Sequence, residues 1–356
     1  MYALLFADAG LSTAEISSLF VIWSVVSFVA EIPSGAWADT WSRRRLYALG
    51  ALCTGLGYLC WTLWPAYPGF ALGFVLWGLG GALGSGTLEA ILYDSLADPA
   101  EYPRVAGRGG TVAILSMLAA TLLATPVFLL GGYLLVGVLS TLVALAAGLI
   151  ALGFTDSRGD APQPGSYVAT LRAGLRHARG KAVRWALVVA ALVPGFTALD
   201  EYIPLVTRAT GVPVAYAGLY FAVPALFMAL GSSLAGRWPA LGPRGLGAVL
   251  AVASVLLAAG GLSRHPAGML PIGAAFGLLQ FAMVRSEARL QDLTPTAVRA
   301  TVLSVSGFAA EVLAVGLYTF FGLGAAYAGI PVLFALVGIP LLATAVTAAT
   351  GAQSPR

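Results

Sequence analysis

Residues 31–45 read Glu31-Ile32-Pro33-Ser34-Gly35-Ala36-Trp37-Ala38-Asp39-Thr40-Trp41-Ser42-Arg43-Arg44-Arg45. An apolar run from Ile16 to Ala30 precedes this stretch, and a second, Leu46 to Trp64, follows it. Consecutive arginines cannot sit in hydrocarbon. The stretch is therefore a short charged hinge between two membrane spans, and the bias of cationic side chains toward the cytoplasm places it on the inner side.

The composition agrees. Hydrophobic residues make up 59% of the chain and charged ones 10%, whereas about a quarter of a soluble domain is charged. Apolar runs of span length recur end to end, the pattern of a polytopic helical membrane protein. The net charge of +4 sits mostly in connections, where it fixes orientation and does not signal nucleic-acid binding. Cys53 and Cys60 are seven residues apart on one predicted helix, about 10 Å, too far to bridge, and read as packing residues. His177 and His265 lack metal-ligand spacing, so neither a metal nor a cofactor is expected. Met1 has no basic region behind it and Asp8 cuts the first apolar stretch short, so no cleavable signal is expected.

Read in order, Met1–Phe6 is an apolar stub of about 10 Å against a core of ~30 Å, and 8–13 is an outer loop. Spans are expected at 15–39, 46–64, 70–96, 110–130 and 133–154. Thr155–Gly165 breaks the pattern with Pro, Gly and charge. Ser166–Arg184 is basic with Tyr167, Leu171 and Leu175 at four-residue spacing. It reads either as a helix lying on the cytoplasmic surface or as a solvated linker helix. Further spans follow near 183–206, 215–234, 246–262, 267–290, 300–323 and 331–349. The expected division is an N-terminal bundle (1–154), a linker (155–184) and a C-terminal bundle (185–356). The inner connections carry Arg43, Arg44, Arg45, Arg104, Arg108, Arg158, the linker cluster, Arg237, Arg244 and Arg299; the outer ones carry only Arg208 and Arg264. That asymmetry supports spans and orientation together.

The chain also repeats. The fourth span ends Glu89-Ala90-Ile91-Leu92-Tyr93-Asp94 and the tenth Glu287-Ala288-Arg289-Leu290-Gln291-Asp292, both Glu-Ala-x-Leu-x-Asp. Gly10 and Gly211 open equivalent turns. Gly35 before Arg43–Arg45 matches Gly236 before Arg237 and Arg244. One half thus reads as a duplicate of the other. By that repeat the first span is truncated. Either the reading frame starts further upstream, or an N-terminal piece is missing, or the protein has half a span; the first two are favoured, because a fragment leaves a gap in the wall of the cavity. A stub lying flat at the outer interface is a further alternative.

With Gly35, Asp39, Arg43 and Arg44 in register, the hinge resembles the loop signature of the major facilitator superfamily, Gly-x-x-x-Asp-Arg/Lys-x-Gly-Arg-Arg. Thr40 and Ser42 depart from it. The parallel six-span halves of that family match the repeat, so the resemblance covers essentially the whole chain. It implies an all-α fold of two pseudo-symmetric six-helix bundles around a central cavity. It further implies a gate in which Gly35, Asp39, Arg43 and Arg44 latch the halves, with Asp39 reaching the eleventh helix's N-terminus and Arg104 or Arg108, and Asp94 pairing with the arginine loop. The family's fourth-span arginine is absent from Trp77–Gly81, and its fifth-span antiporter signature is only echoed by Pro126, Gly131 and Gly132. Gly180-Lys181 is followed by Ala182, where a phosphate loop needs Ser or Thr, which excludes ATP hydrolysis by this chain.

Charges within spans are costly and mark pathways. Glu311 lies near the middle of the eleventh span with no partner within a turn, and a carboxylate buried without a cation tends to hold a proton. Asp200 and Glu201 lie two thirds along the seventh span, about 100° apart on a helix, so that one is expected to face the cavity; an outer gate with Arg208 is the alternative. Arg285, Glu287 and Glu89 belong either to the pathway or to an inner-gate network. Trp23, Trp61, Trp64, Trp77, Tyr318, Phe320 and Phe321 either line a cavity or pack and anchor. The resulting expectation is a non-enzymatic secondary transporter in the cytoplasmic (inner) membrane. It acts as a monomer on a small-molecule substrate by alternating access, by proton-coupled efflux as an antiporter. A proton–solute symporter and a non-transporting receptor or assembly partner are the alternatives.

Overall fold

The computed structural model describes residues 1–85, 87–96, 98, 101–154, 180–237 and 241–350; for 32, 35, 36, 38–40, 89, 90, 93, 94, 102, 103, 114, 181, 182, 296, 297, 300 and 301 it describes backbone only. The expected linker and its surface helix fall almost wholly outside the described residues. So do the side chains of Asp39 and Asp94 in the expected gate and of Glu89, expected in the pathway or an inner-gate network. Among the described residues there are helices and no strand. The chain divides into two compact units, Met1–Pro162 and Gln163–Arg356.

The first unit contains α1 (Tyr2–Asp8), α2 (Thr13–Thr40), α3 (Arg43–Leu63), α4 (Tyr67–Gly84), α5 (Thr87–Asp94) and α6 (Tyr102–Ala151). The second contains α7 (Lys181–Gly195), a 3-10 segment (Phe196–Tyr202), α8 (Ile203–Ala209), α9 (Ala217–Arg237), α10 (Pro243–Leu262), α11 (Met269–Asp292), α12 (Thr296–Gly324), α13 (Ile330–Leu336) and α14 (Gly338–Thr350). Among the described residues ten helical runs are long and apolar enough to cross a membrane. The 48-residue run Arg104–Ala151 is ~70 Å of helix, enough for two crossings. Gly131 (φ −155°, ψ 20°) and Gly132 (φ 58°, ψ −155°) break it; the positive φ at Gly132 suits a residue without Cβ. The fifth and sixth spans are thus joined by a two-glycine turn, as the sequence leads one to expect.

Helices in hydrocarbon gain little from burying apolar side chains against each other and rely on close packing, which small residues permit. The first unit shows this along two seams. A methyl on Gly50 would lie 2.8 Å from the Gly80 carbonyl, and one on Gly57 2.7 Å from the Gly73 carbonyl, so α3 and α4 run antiparallel with backbones in contact. On α3's other side, Gly55 meets Leu145 and Gly148 meets Ala48 and Ala51, so the second leg of α6 also runs antiparallel to α3. α2 runs parallel to α4, with Gly78 against Val26 and Ser27 and Trp23 stacked on Trp77 at 5.1 Å. The second unit repeats the order: α9 parallel to α11 through Gly231 and Gly277, α10 antiparallel to α11 through Gly260, and α10 antiparallel to α14 through Gly247 and Ala345. Gly10 (φ 92°) and Gly211 (φ 83°) hold the same left-handed turn at equivalent places.

Three expectations are corrected. The stub α1 does not lie flat: Ala3, Leu4 and Phe6 are buried, Phe6 packs on Phe70 at 4.4 Å, and Tyr133 donates to Asp8 at 2.7 Å. The fourth span is not continuous: α4 ends at Ser85 in extended backbone (φ −60°, ψ 127°), and α5 starts afresh at Thr87, whose hydroxyl donates to the Leu83 carbonyl at 2.9 Å. The seventh span is interrupted by the 3-10 segment.

The seams make a direct check. Gly57→Val drives a branched side chain against the Gly73 carbonyl and is expected to cost about 1–3 kcal/mol, seen as a lower thermal midpoint in detergent. Gly81→Ala, on α4 with nothing within 4 Å of the added methyl, is expected to be neutral or to gain up to ~1 kcal/mol. Equal midpoints for the two variants would contradict the packing.

Candidate functional site

The seventh span carries a defect that its prolines dictate. Pro204, in the first turn of α8, has no N–H for the Asp200 carbonyl four residues back. The N–H of Ile203 bonds that carbonyl instead, which is the i→i+3 pattern of a 3-10 turn. With three residues per turn, Phe196, Leu199 and Tyr202 share one edge, and they are 1%, 0% and 0% exposed. Asp200 and Glu201 take the other two edges, each half-buried. Tyr202 locks the segment by stacking on Phe321 of α12, with ring centroids 3.8 Å apart and planes 15° apart.

α12 runs parallel to α7: Gly195 packs on Ala310 and Leu313, and Tyr202 lies 6.3 Å from Tyr318. Glu311 therefore sits beside the end of α7, roughly 10 Å along the span from Asp200 at ~2 Å per 3-10 residue. It is half-buried. Tyr318 is seven residues on, hence on the same face, and is 3% exposed. Glu201, Asp200, Tyr202 and Glu311 all act electrostatically on its phenol. The Asp200 carboxylate accepts the backbone N–H of Glu201. The structure thus gathers three of the expected residues, Asp200, Glu201 and Glu311, around one buried tyrosine. In the 3-10 segment the two acids of the seventh span stand on different edges, about 120° apart.

The remaining expected residues lie elsewhere. Arg285 is half-buried and Glu287 exposed on α11, where Gln291 Nε2 donates to Glu287 at 3.2 Å. One turn on, Leu290 packs with Val183, Ala186 and Ala190 near the start of α7, away from the acid cluster. Arg208 is exposed in the last turn of α8. Arg104 and Arg108 are exposed near the start of α6. In the arginine hinge only Trp41 and Ser42 separate α2 from α3, and Arg44 Nη1 donates to the Phe154 carbonyl at 3.4 Å. Glu31 accepts a long bond of 3.4 Å from Ser85 Oγ.

Of the aromatic residues, Trp61 is buried and donates to the Phe70 carbonyl at 3.0 Å. Phe321 is buried, whereas Trp64 is 51% exposed and Phe320 37%. Tyr202 and Tyr318 were not legible as partners of the acids. The available signal was the seven-residue interval from Glu311 to Tyr318. Among the described residues no group of acids, His and Cys is arranged to hold a metal ion.

A family model described as Major Facilitator Superfamily matches residues 1–317. None of the curated proteins matches the chain in sequence. The fold is similar to that of a bacterial homologue of the human lysosomal transporter Spinster, inward-facing and unoccupied, with a TM-score of 0.71, 19% identity, and 98% of this chain and 90% of that one covered. It is similar also to the nucleoside transporter NupG (TM-score 0.70, 12% identity, 98% and 93% covered) and to an auto-inhibited POT family peptide transporter (0.71, 16%, 96% and 89%). At such identities the likeness establishes the fold.

The Tyr202–Phe321 stack should hold the acid-bearing segment in place. Tyr202→Ala is expected to cost about 3–5 kcal/mol, as for other buried aromatic truncations. Thermal unfolding of the purified protein measures it, and a midpoint within error of the unaltered chain would refute the role.

Proposed function

The chain belongs to the Major Facilitator Superfamily, and from that premise we propose that this secondary transporter moves a small cationic or neutral amphiphilic solute outward across the cytoplasmic membrane in exchange for protons. It is a multi-pass membrane protein and not an enzyme. The single observation that carries the proposal is the placement of three acids, Asp200, Glu201 and Glu311, on the two parallel segments that meet at the buried Tyr318.

Neighbouring carboxylates in a poorly solvated place disfavour one another's charge, and a proton or a bound cation relieves them equally well. A site of that kind lets a cation and a proton compete, which is the essence of exchange. Asp200 and Glu201 are offered as the solute- and proton-binding pair, with Glu311 as the mid-span proton carrier. In this reading the protein works as a monomer by alternating access. Arg285, Glu287 and Glu89 serve the inner end of the pathway. Gly35, Asp39, Arg43, Arg44, Asp94, Arg104 and Arg108 form the gate. The expected linker, 155–184, joins the bundles 1–154 and 185–356.

The test is flux in proteoliposomes with an imposed pH difference, using tetraphenylphosphonium as the cationic probe. Probe movement against the proton gradient is expected. Glu311→Gln and Asp200→Asn are each expected to reduce it at least ~100-fold, the range seen when a proton-transfer group is lost, with thermal midpoints unchanged. Flux that ignores the pH difference, or survives both substitutions, overturns the proposal. Movement of the probe with the proton gradient identifies a symporter for uptake instead.

A further inference from the structure

A cavity in the second unit is unrelated to the acid cluster. It has a volume of about 630 Å³ and is lined by α9, α10 and α11. Its origin is geometric. α9 and α11 touch backbone to backbone, since a Cβ at Gly277 would lie 2.7 Å from the Phe227 carbonyl. α10 also packs on α11, but α9 and α10 barely meet each other. A wedge is left open above α11.

The wedge is matched to a chain of methylenes. Phe227, Leu230, Gly231 and Leu234 on α9 stand at i, i+3, i+4 and i+7, one helical face, and Ala274, Gly277, Leu278 and Phe281 on α11 do the same. Val249 of α10 and Leu241 close the far wall. No lining residue has a polar side chain, so nothing there can orient a solute by hydrogen bonds. The trough runs about 10 Å along α9 at 1.5 Å per residue, in the half of the span that ends in basic residues.

Its end is cationic. Arg237 follows Leu230 and Leu234 at i+7 and i+3, so it continues the lining face of α9 past the trough. Arg244 lies in the first turn of α10, where backbone N–H groups also favour an anion. Both arginines are exposed. They bracket the connection whose Leu241 lines the trough, on the side where cationic residues mark the cytoplasm. An apolar trough inside the span, with two exposed arginines at the ends of the helices that form it, is the complement of an anionic lipid of the inner leaflet.

We propose that this wedge is a binding site for an anionic phospholipid, with one acyl chain between α9 and α10 on the floor of α11 and the phosphate on Arg237 and Arg244. The site is separate from the acids of the transport reading and does not depend on them.

The test is native mass spectrometry of the full chain released from detergent with phosphatidylglycerol or phosphatidylcholine added at equal concentration. Phosphatidylglycerol is expected to be retained in preference, by about fivefold per arginine. Arg237→Ala with Arg244→Ala is expected to bring the ratio to about 1 while adducts persist. Leu230→Trp fills the trough from a position already 53% exposed, so folding should survive, and it is expected to reduce adducts of both lipids. The thermal midpoint of each variant without lipid verifies that it is folded. Equal retention of the two lipids by the unaltered chain overturns the proposal, as does full retention by folded Leu230→Trp.

Discussion

Everything in this molecule depends on how closely two helix backbones approach when the solvent is lipid. Apolar side chains are as content against acyl tails as against each other, so helix association has to come from contact distance. The glycine pairs Gly50–Gly80, Gly57–Gly73 and Gly231–Gly277 supply that distance. They also set direction: the first two fix α3 antiparallel to α4, and the last, together with Gly273 against Val223, fixes α9 parallel to α11. Once these seams are made, the positions of the intervening charged and aromatic side chains follow.

A span can carry a broken turn only where its neighbours accept the freed backbone groups. The seventh span meets that condition with its own residues. Pro204 removes one helical bond, Ile203 restores it in tighter form, and the Thr197 hydroxyl donates to the Pro194 carbonyl at 2.6 Å. Winding at three residues per turn puts three apolar side chains on one buried edge and both acids off it. The twelfth span also breaks, at Val337 between α13 and α14, and the Gly338 carbonyl just beyond the break accepts Ser254 Oγ at 2.6 Å. Proline thus tightens the winding of the seventh span at little cost to backbone bonding.

Much of this was legible beforehand, because hydropathy, arginine placement and the Glu-Ala-x-Leu-x-Asp repeat each report on a membrane constraint that leaves few alternatives. The class, the spans and the turns at Gly10 and Gly211 came from them. The site was legible only in part. Glu311, Asp200 and Glu201 stood out as charges in apolar runs, but their nearness to Tyr318 depends on how α12 packs beside α7, which no local pattern encodes. Pro204 signalled a disturbance without fixing its form. The break at Ser85 was hidden because Ser and Gly are ordinary residues in membrane helices, and their presence does not announce a stop. Likewise the wedge beside α11 is a property of two helices that fail to touch, which no local pattern encodes.

The hinge arginines show how one side chain serves two masters. Arg44 stands in the opening turn of α3, where the aligned peptide dipoles repel a cation. Its neighbour, the outgoing leg of α6, runs the other way and presents its electronegative end there, and Arg44 reaches the Phe154 carbonyl. An antiparallel pair of packed spans therefore converts a residue misplaced on its own helix into a clasp for its neighbour. The charge that tells the translocation machinery which side to keep also ties off the last span of the first bundle, so insertion and final closure share a single group.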